Sequence, residues 1–266
     1  MSPVTQAGAE GGAAGAIGAG DAAEGAVGEP GGVPAGALRV GGVVPFTATD
    51  YPDALAAVIF CQGCPWHCPY CHNPHLIPFR GEDLRDFARI VEWLGTRRGL
   101  LDAVVFSGGE PTAQRALGAA IDAVRAMGFA VGLHTAGVYP GRLADLLRRV
   151  DWIGLDVKAP MARYAELCGA RTGGIAAFAS LDIVIASQVP YEVRTTVHPQ
   201  LTSADALIEL ARELAARSVT RWTLQRFRAT GCSDAALVAD APGLSMWTEA
   251  LLAPLREHVP TVTTRG

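Results

Sequence analysis

Cys64, Cys68 and Cys71 stand in the run CPWHCPYCHN, with three residues between the first pair and two between the second. That spacing reads as three thiolates on one short loop. Soft thiolates select iron–sulfur clusters, zinc or copper(I). Ferredoxin runs add a fourth cysteine, whereas here the next one is Cys168. Three ligands for a four-iron cluster leave one iron open to a substrate. Two other chemistries use the same residues. Cys68, Cys71 and His72 spell C-x-x-C-H, the c-type haem attachment pattern, but haem is attached after export and the chain starts without an export signal. The three cysteines with His67, His72 or His75 also make a closed tetrahedral zinc set. Cys61, at the end of an apolar run, reads as a buried strand-end thiol rather than a spare ligand.

Four further stretches carry candidate residues. In FSGGEPT, Gly108 and Gly109 permit a ligand to approach the backbone and Glu110 sets a carboxylate at a helix head, although a Gly-Gly turn needs no function. In GLDVKAP, Asp156 and Lys158 are two apart and so share one face of a strand. Lys158 is the only lysine among basic residues that are otherwise all arginine, which suits a site needing a compact ammonium that a guanidinium does not copy. Arg194 in EVRTTVHP is a cofactor contact or a structural cation. His134 and Thr135 end another strand, where a histidine is ordinarily packed and hydrogen-bonded.

These residues need a frame to bring them together. Short apolar runs at 55–60, 103–107, 129–135, 152–157, 191–197 and 222–227 read as strands, several of them apolar on both faces as in a parallel sheet covered by helices. Helical periodicity fills 82–96, 113–127, 141–150, 174–187, 203–217 and 245–258. Six βα units fall short of the eight-fold barrel, so an α/β fold with a partial, open (β/α)6 barrel is predicted, with working residues at the C-terminal strand ends. Residues 1–37, rich in Ala and Gly, are predicted to be a disordered tail, and residues 38–266 one domain. The net charge of −4 comes from Glu10, Asp21, Glu24 and Glu29, ahead of any basic residue. Nothing in the remaining balance asks for nucleic acid or an anionic membrane, and no apolar run reaches the ~18 residues of a membrane span. Clustered thiols without a disulfide framework fit a reducing compartment, the cytoplasm.

With His72 and Asn73 behind it, the cysteine triplet resembles the signature of the radical S-adenosylmethionine (SAM) superfamily, and its CHN ending that of the activating enzymes of glycyl radical enzymes. The resemblance makes Cys64, Cys68 and Cys71 the ligands of a [4Fe-4S] cluster. It likens Gly108, Gly109 and Glu110 to the GGEP element that holds the SAM amino group, Asp156 and Lys158 to an Asp-x-Lys contacting SAM, and Arg194 to a basic residue near its carboxylate. It also implies cofactor contacts by Tyr70, Asn73 and Thr135. One departure is His134, where the formate-lyase type carries the aspartate of a monovalent-cation site.

The resemblance spans 38–266 and is most specific over 45–77, where PFTATDYP precedes the first strand and CHNPHLIP follows the cysteines. There the chain looks most like the activating proteins of anaerobic ribonucleoside-triphosphate reductase. This implies a single cluster, an external one-electron reductant such as flavodoxin or ferredoxin, and a glycyl radical enzyme as protein substrate. Reductive cleavage of SAM would yield a 5′-deoxyadenosyl radical that abstracts hydrogen from a glycine of that partner. A radical SAM enzyme acting on a small molecule, of the 7-carboxy-7-deazaguanine synthase type, shares these motifs. A non-catalytic zinc module leaves GGEP and D-x-K unexplained.

Overall fold

The computed structural model describes residues 32–266. Eight strands form one sheet in chain order: β1 (Val40–Thr47), β2 (Ala56–Cys61), β3 (Ala103–Gly108), β4 (Ala130–Thr135), β5 (Trp152–Asp156), β6 (Tyr191–Val197), β7 (Arg221–Arg226) and β8 (Thr261–Arg265). β1 is antiparallel to β2, and every later pair is parallel. Since β1 and β8 end the order, the sheet stays open. The six predicted strands are β2 to β7.

The two edge strands are additions to the expectation. β1 contains a Gly-Gly pair and Pro45, which read as loop signals, and it changes register at Val40/Gly42 and Val44/Thr47. Proline and irregular register are tolerated at an edge because no outer ladder is lost. β8 is short and buries only Val262, so periodicity gives it no signal.

Helices α1 (Phe87–Gly95), α2 (Leu117–Ala126), α3 (Pro140–Leu146), α4 (Tyr164–Cys168), α5 (Gly173–Ser187), α6 (Ala204–Ala215), α7 (Ala235–Ala239) and α8 (Glu249–Arg256) fill the connections. α1 buries Phe87, Ile90 and Leu94 on one stripe, and the Asp86 side chain accepts from the Ala88 amide at its start. It begins later than predicted because the Arg85 amide is drawn to the Val40 carbonyl at 2.7 Å. Short α4 was not foreseen; it follows β5 and bears Tyr164 and Cys168, both buried.

Alternation along the strands divides the sheet. Ala57, Ile59, Cys61, Val104, Phe106, Leu133, Leu155 and Val193 join the core shared with the helices. Ala56, Val58, Ala103 and Val105 pack with Tyr51 on the other face. Of the predicted tail, residues 1–31 lie outside the described residues. Ala35–Ala37 form a 3-10 turn beside α1 and α2, so regular structure is present before Leu38. Among the described residues no helix is long and apolar enough to cross a membrane.

Candidate active site

β2 ends at Cys61, which is fully buried in the core shared with the helices, as a strand-end thiol requires. The chain then turns at Gly63 (φ 99°) into the cysteine loop. That loop is closed by main-chain bonds, Gly63 N to Leu76 O at 2.7 Å and Cys64 N to Ile77 O at 3.0 Å. Gln62 adds side-chain bonds to His75 O and Pro78 O at 3.0 and 2.7 Å. Gln114 in turn donates to Gln62 O and Arg39 O. These two buried glutamines brace the loop; no motif announces them.

The glycine pair lets β3 close onto the root of the cysteine loop. A Cβ on Gly108, which has φ 119°, would lie 2.4 Å from the Cys61 nitrogen, and one on Gly109 would lie 2.5 Å from the Gly63 oxygen. Gly109 N and Glu110 N donate to Cys61 O and Gly63 O, each at 2.9 Å. The room made by two absent side chains is therefore filled by the root of the cysteine loop. The glycines dock β3 onto that loop.

Glu110 is wholly buried. Its Oε1 accepts from Thr112 N, Thr112 Oγ1 and Thr135 Oγ1, and Oε2 accepts from Ala136 N at 2.9 Å. Burial raises its pKa, and the four donors offset that only in part. The carboxylate thus ties the end of β3 to the end of β4. Next to it His134 is packed edge-on to Trp152, and its Nε2 meets the Asp50 carbonyl at 2.9 Å. That bond requires an Nε2–H donor. Burial first, then the Arg194 charge, holds the ring neutral with a pKa of about 3.

Asp156 and Lys158, at and just past the end of β5, converge with Arg194 in the middle of β6. Arg194 Nε and Nη2 both lie 2.9 Å from Asp156 Oδ1, and Lys158 Nζ lies 3.9 Å from Oδ2. Burial pushes the Asp156 carboxyl up, but Arg194 and then Lys158 hold it below the usual range. The guanidinium lies across Gly154, where a Cβ would sit 2.6 Å from Cζ. Lys158 Nζ stands 5.6 Å over the Tyr70 ring. Burial disfavours its charge, yet Tyr70, Cys68 and Asp156 around it outweigh that and raise its pKa well above the ordinary value.

The Lys158 charge lowers the pKa of each of the three cysteines, all of which are half-buried. Burial drives Cys64 up to about 12 against a hydrogen bond from the Trp66 amide, and drives Cys71 up against one from the Asn73 amide. Cys68 goes the other way, to about 7, first through a hydrogen bond with Cys168. The Cys68 and Cys168 sulfurs are 3.4 Å apart. Cys232 also reaches the loop, 3.4 Å from the Pro69 carbonyl. Cys168 is 100 residues from Cys68 in the chain, and only the fold brings them together.

These residues fit an iron–sulfur cluster with a polar ligand beside it. The donors are soft thiols, one cation faces them, and the Tyr70 hydroxyl is buried next to Lys158 without a hydrogen-bond partner among the described residues. A single-ion zinc set is not assembled there. His72 turns from the cysteines to Phe227, with rings 5.5 Å apart and its Nε2 accepting from the Arg228 amide, while His67 and His75 are exposed.

A family profile described as the radical SAM superfamily matches residues 58–219. A protein of Methanocaldococcus jannaschii named as a glycyl-radical enzyme activating enzyme is 29% identical over 206 residues, covering 73% of this chain and 82% of that one. A PqqA peptide cyclase of Methylobacterium sp. is 34% identical over 161 residues, 58% of this chain and 42% of the cyclase. Among solved structures, QueE from Escherichia coli is similar in fold, with a TM-score of 0.53 at 17% identity over 85% of this chain and 93% of that one.

Proposed function

The chain belongs to the radical SAM superfamily, enzymes that use a [4Fe-4S] cluster and SAM, and on that premise we propose that it generates a glycyl radical on a partner enzyme, anaerobic ribonucleoside-triphosphate reductase. The observation that carries this reading is the likeness, over most of both chains, to a protein named as a glycyl-radical enzyme activating enzyme. The CHN ending and the PFTATDYP and CHNPHLIP flanks support the narrower choice of partner. The peptide cyclase relative, by its name, also acts on a polypeptide, which supports a macromolecular substrate over a small molecule.

When bound, the cluster and SAM supply one electron to the sulfonium and a 5′-deoxyadenosyl radical able to take a hydrogen atom. The chain's own part is holding and screening. Cys64, Cys68 and Cys71 hold the cluster. Glu110 fixes the ends of β3 and β4 through Thr135 and Ala136, and so would hold the frame against which the SAM amino group is placed. Lys158, Asp156 and Arg194 meet the charged end of SAM, and Tyr70 and Asn73 border it. Gly108 and Gly109 serve by seating the cysteine loop against β3. The electron comes from flavodoxin or ferredoxin in the cytoplasm, with no nucleic acid or membrane involved.

The test is anaerobic incubation of reduced protein with SAM and the reductase. Spin resonance should detect a glycyl radical on the reductase, formed in step with 5′-deoxyadenosine and lost when the radical-bearing glycine is replaced by alanine. Deoxyadenosine formed only after addition of a purine or pterin precursor would contradict the activase reading.

A further inference from the structure

The three cysteines differ in what touches their sulfurs. Cys64 and Cys71 take hydrogen bonds from the Trp66 and Asn73 amides. Among the described residues, Cys68 alone has a side-chain partner, the Cys168 sulfur at 3.4 Å. This approach is built into the fold. The His67 amide donates to the Cys168 carbonyl at 3.1 Å, and Trp66 packs edge-on against Tyr164 with ring centroids 5.5 Å apart. Both ends of α4 are thus fastened to the cysteine loop, Tyr164 at its start and Cys168 at its end beside the sulfur pair. Cys168 is itself buried, so water does not compete for the bond.

Taking Cys68 as a cluster ligand, the reading proposed above, we infer that Cys168 is a positioning residue that donates an S–H hydrogen bond to the Cys68 thiolate and raises the reduction potential of the cluster. Once Cys68 binds iron it has no proton to give, so Cys168 must be the donor. Hydrogen bonds to cluster sulfurs favour the reduced, more negative state. The result is a cluster that an external one-electron donor reduces more readily.

Cys232 supplies an internal control, since its sulfur meets the Pro69 carbonyl and no cysteine. The experiment uses full-length wild type, Cys168→Ala, Cys168→Ser and Cys232→Ala, reconstituted anaerobically, assayed for iron and sulfide, and titrated reductively under spin resonance. All four should load the cluster. The midpoint should shift to more negative potential in Cys168→Ala, shift less in Cys168→Ser, whose hydroxyl can still donate, and stay at the wild-type value in Cys232→Ala. A wild-type midpoint in Cys168→Ala would overturn the inference. So would loss of the cluster from both Cys168 variants with circular dichroism unchanged, because Cys168 would then be an iron ligand. A wild type that holds no four-iron cluster would instead sink the underlying reading, and this one with it.

Discussion

Lys158 puts its ammonium 3.9 Å from Asp156 and above the Tyr70 ring, with only 15% of its side chain exposed. An arginine there must fit a wide planar group where a compact one stands. Lys158→Arg should weaken SAM binding about tenfold, or ~1.4 kcal/mol, with iron content unchanged; calorimetric titration of the reconstituted protein checks this, and wild-type affinity would remove the case for an ammonium. Asp156→Asn has a second cost, because it leaves the Arg194 guanidinium buried without its counter-charge. Breaking a fully buried pair costs about 3–5 kcal/mol. Asp156 keeps 33% of its side chain exposed, so a loss of roughly 2 kcal/mol in denaturant unfolding is expected. The cysteine triplet, Lys158 and Asp156 were legible in the sequence because type and spacing alone point to their chemistry. Cys168, Gln62 and Gln114 were not, since their partners lie far along the chain and neither thiol nor amide is unusual by itself.

At the scale of elements, the glycine pair that closes β3 decides whether the cysteine loop can seat. An alanine at Gly108 needs a Cβ where the Cys61 nitrogen stands, on a backbone with positive φ. Gly108→Ala should cost at least about 2 kcal/mol and lower iron loading as well, read from unfolding curves and iron analysis of the same preparations. Ser203→Ala, which removes the acceptor for the Ala206 amide at the start of α6, should cost about 1 kcal/mol and leave iron loading alone. Similar iron loss in both would mean that general instability, not loop seating, controls the site. β2 to β5 were readable because burial makes nearly continuous apolar runs, and β6 and β7 because their β-branched and aromatic residues favour strands. β1 hides behind glycines and a proline, β8 behind its polar exposure, and α4 behind its five residues. The late start of α1 comes from a tertiary bond to Val40 that no local pattern contains.

Across the whole molecule, register gathers what the sequence keeps separate. Asp156 pairs with Arg194, Arg194 with Thr223 and Thr223 with Thr263, one polar row across β5 to β8. It lies opposite the face whose Leu155, Val193 and Leu224 join the helix-packed core. Strand positions alone carry no register, so this row was invisible in the one-dimensional pattern. The open sheet leaves β8 paired only with β7, beside that polar row. All of this serves one reaction on three cysteines. Its most direct measurement is the yield of 5′-deoxyadenosine and methionine from reduced, reconstituted protein given SAM. Wild type, Cys61→Ala and Cys232→Ala should form the two in equal amounts, and Cys64→Ser, Cys68→Ser and Cys71→Ser should form neither; undiminished cleavage in any of those three serine variants would contradict the ligand set.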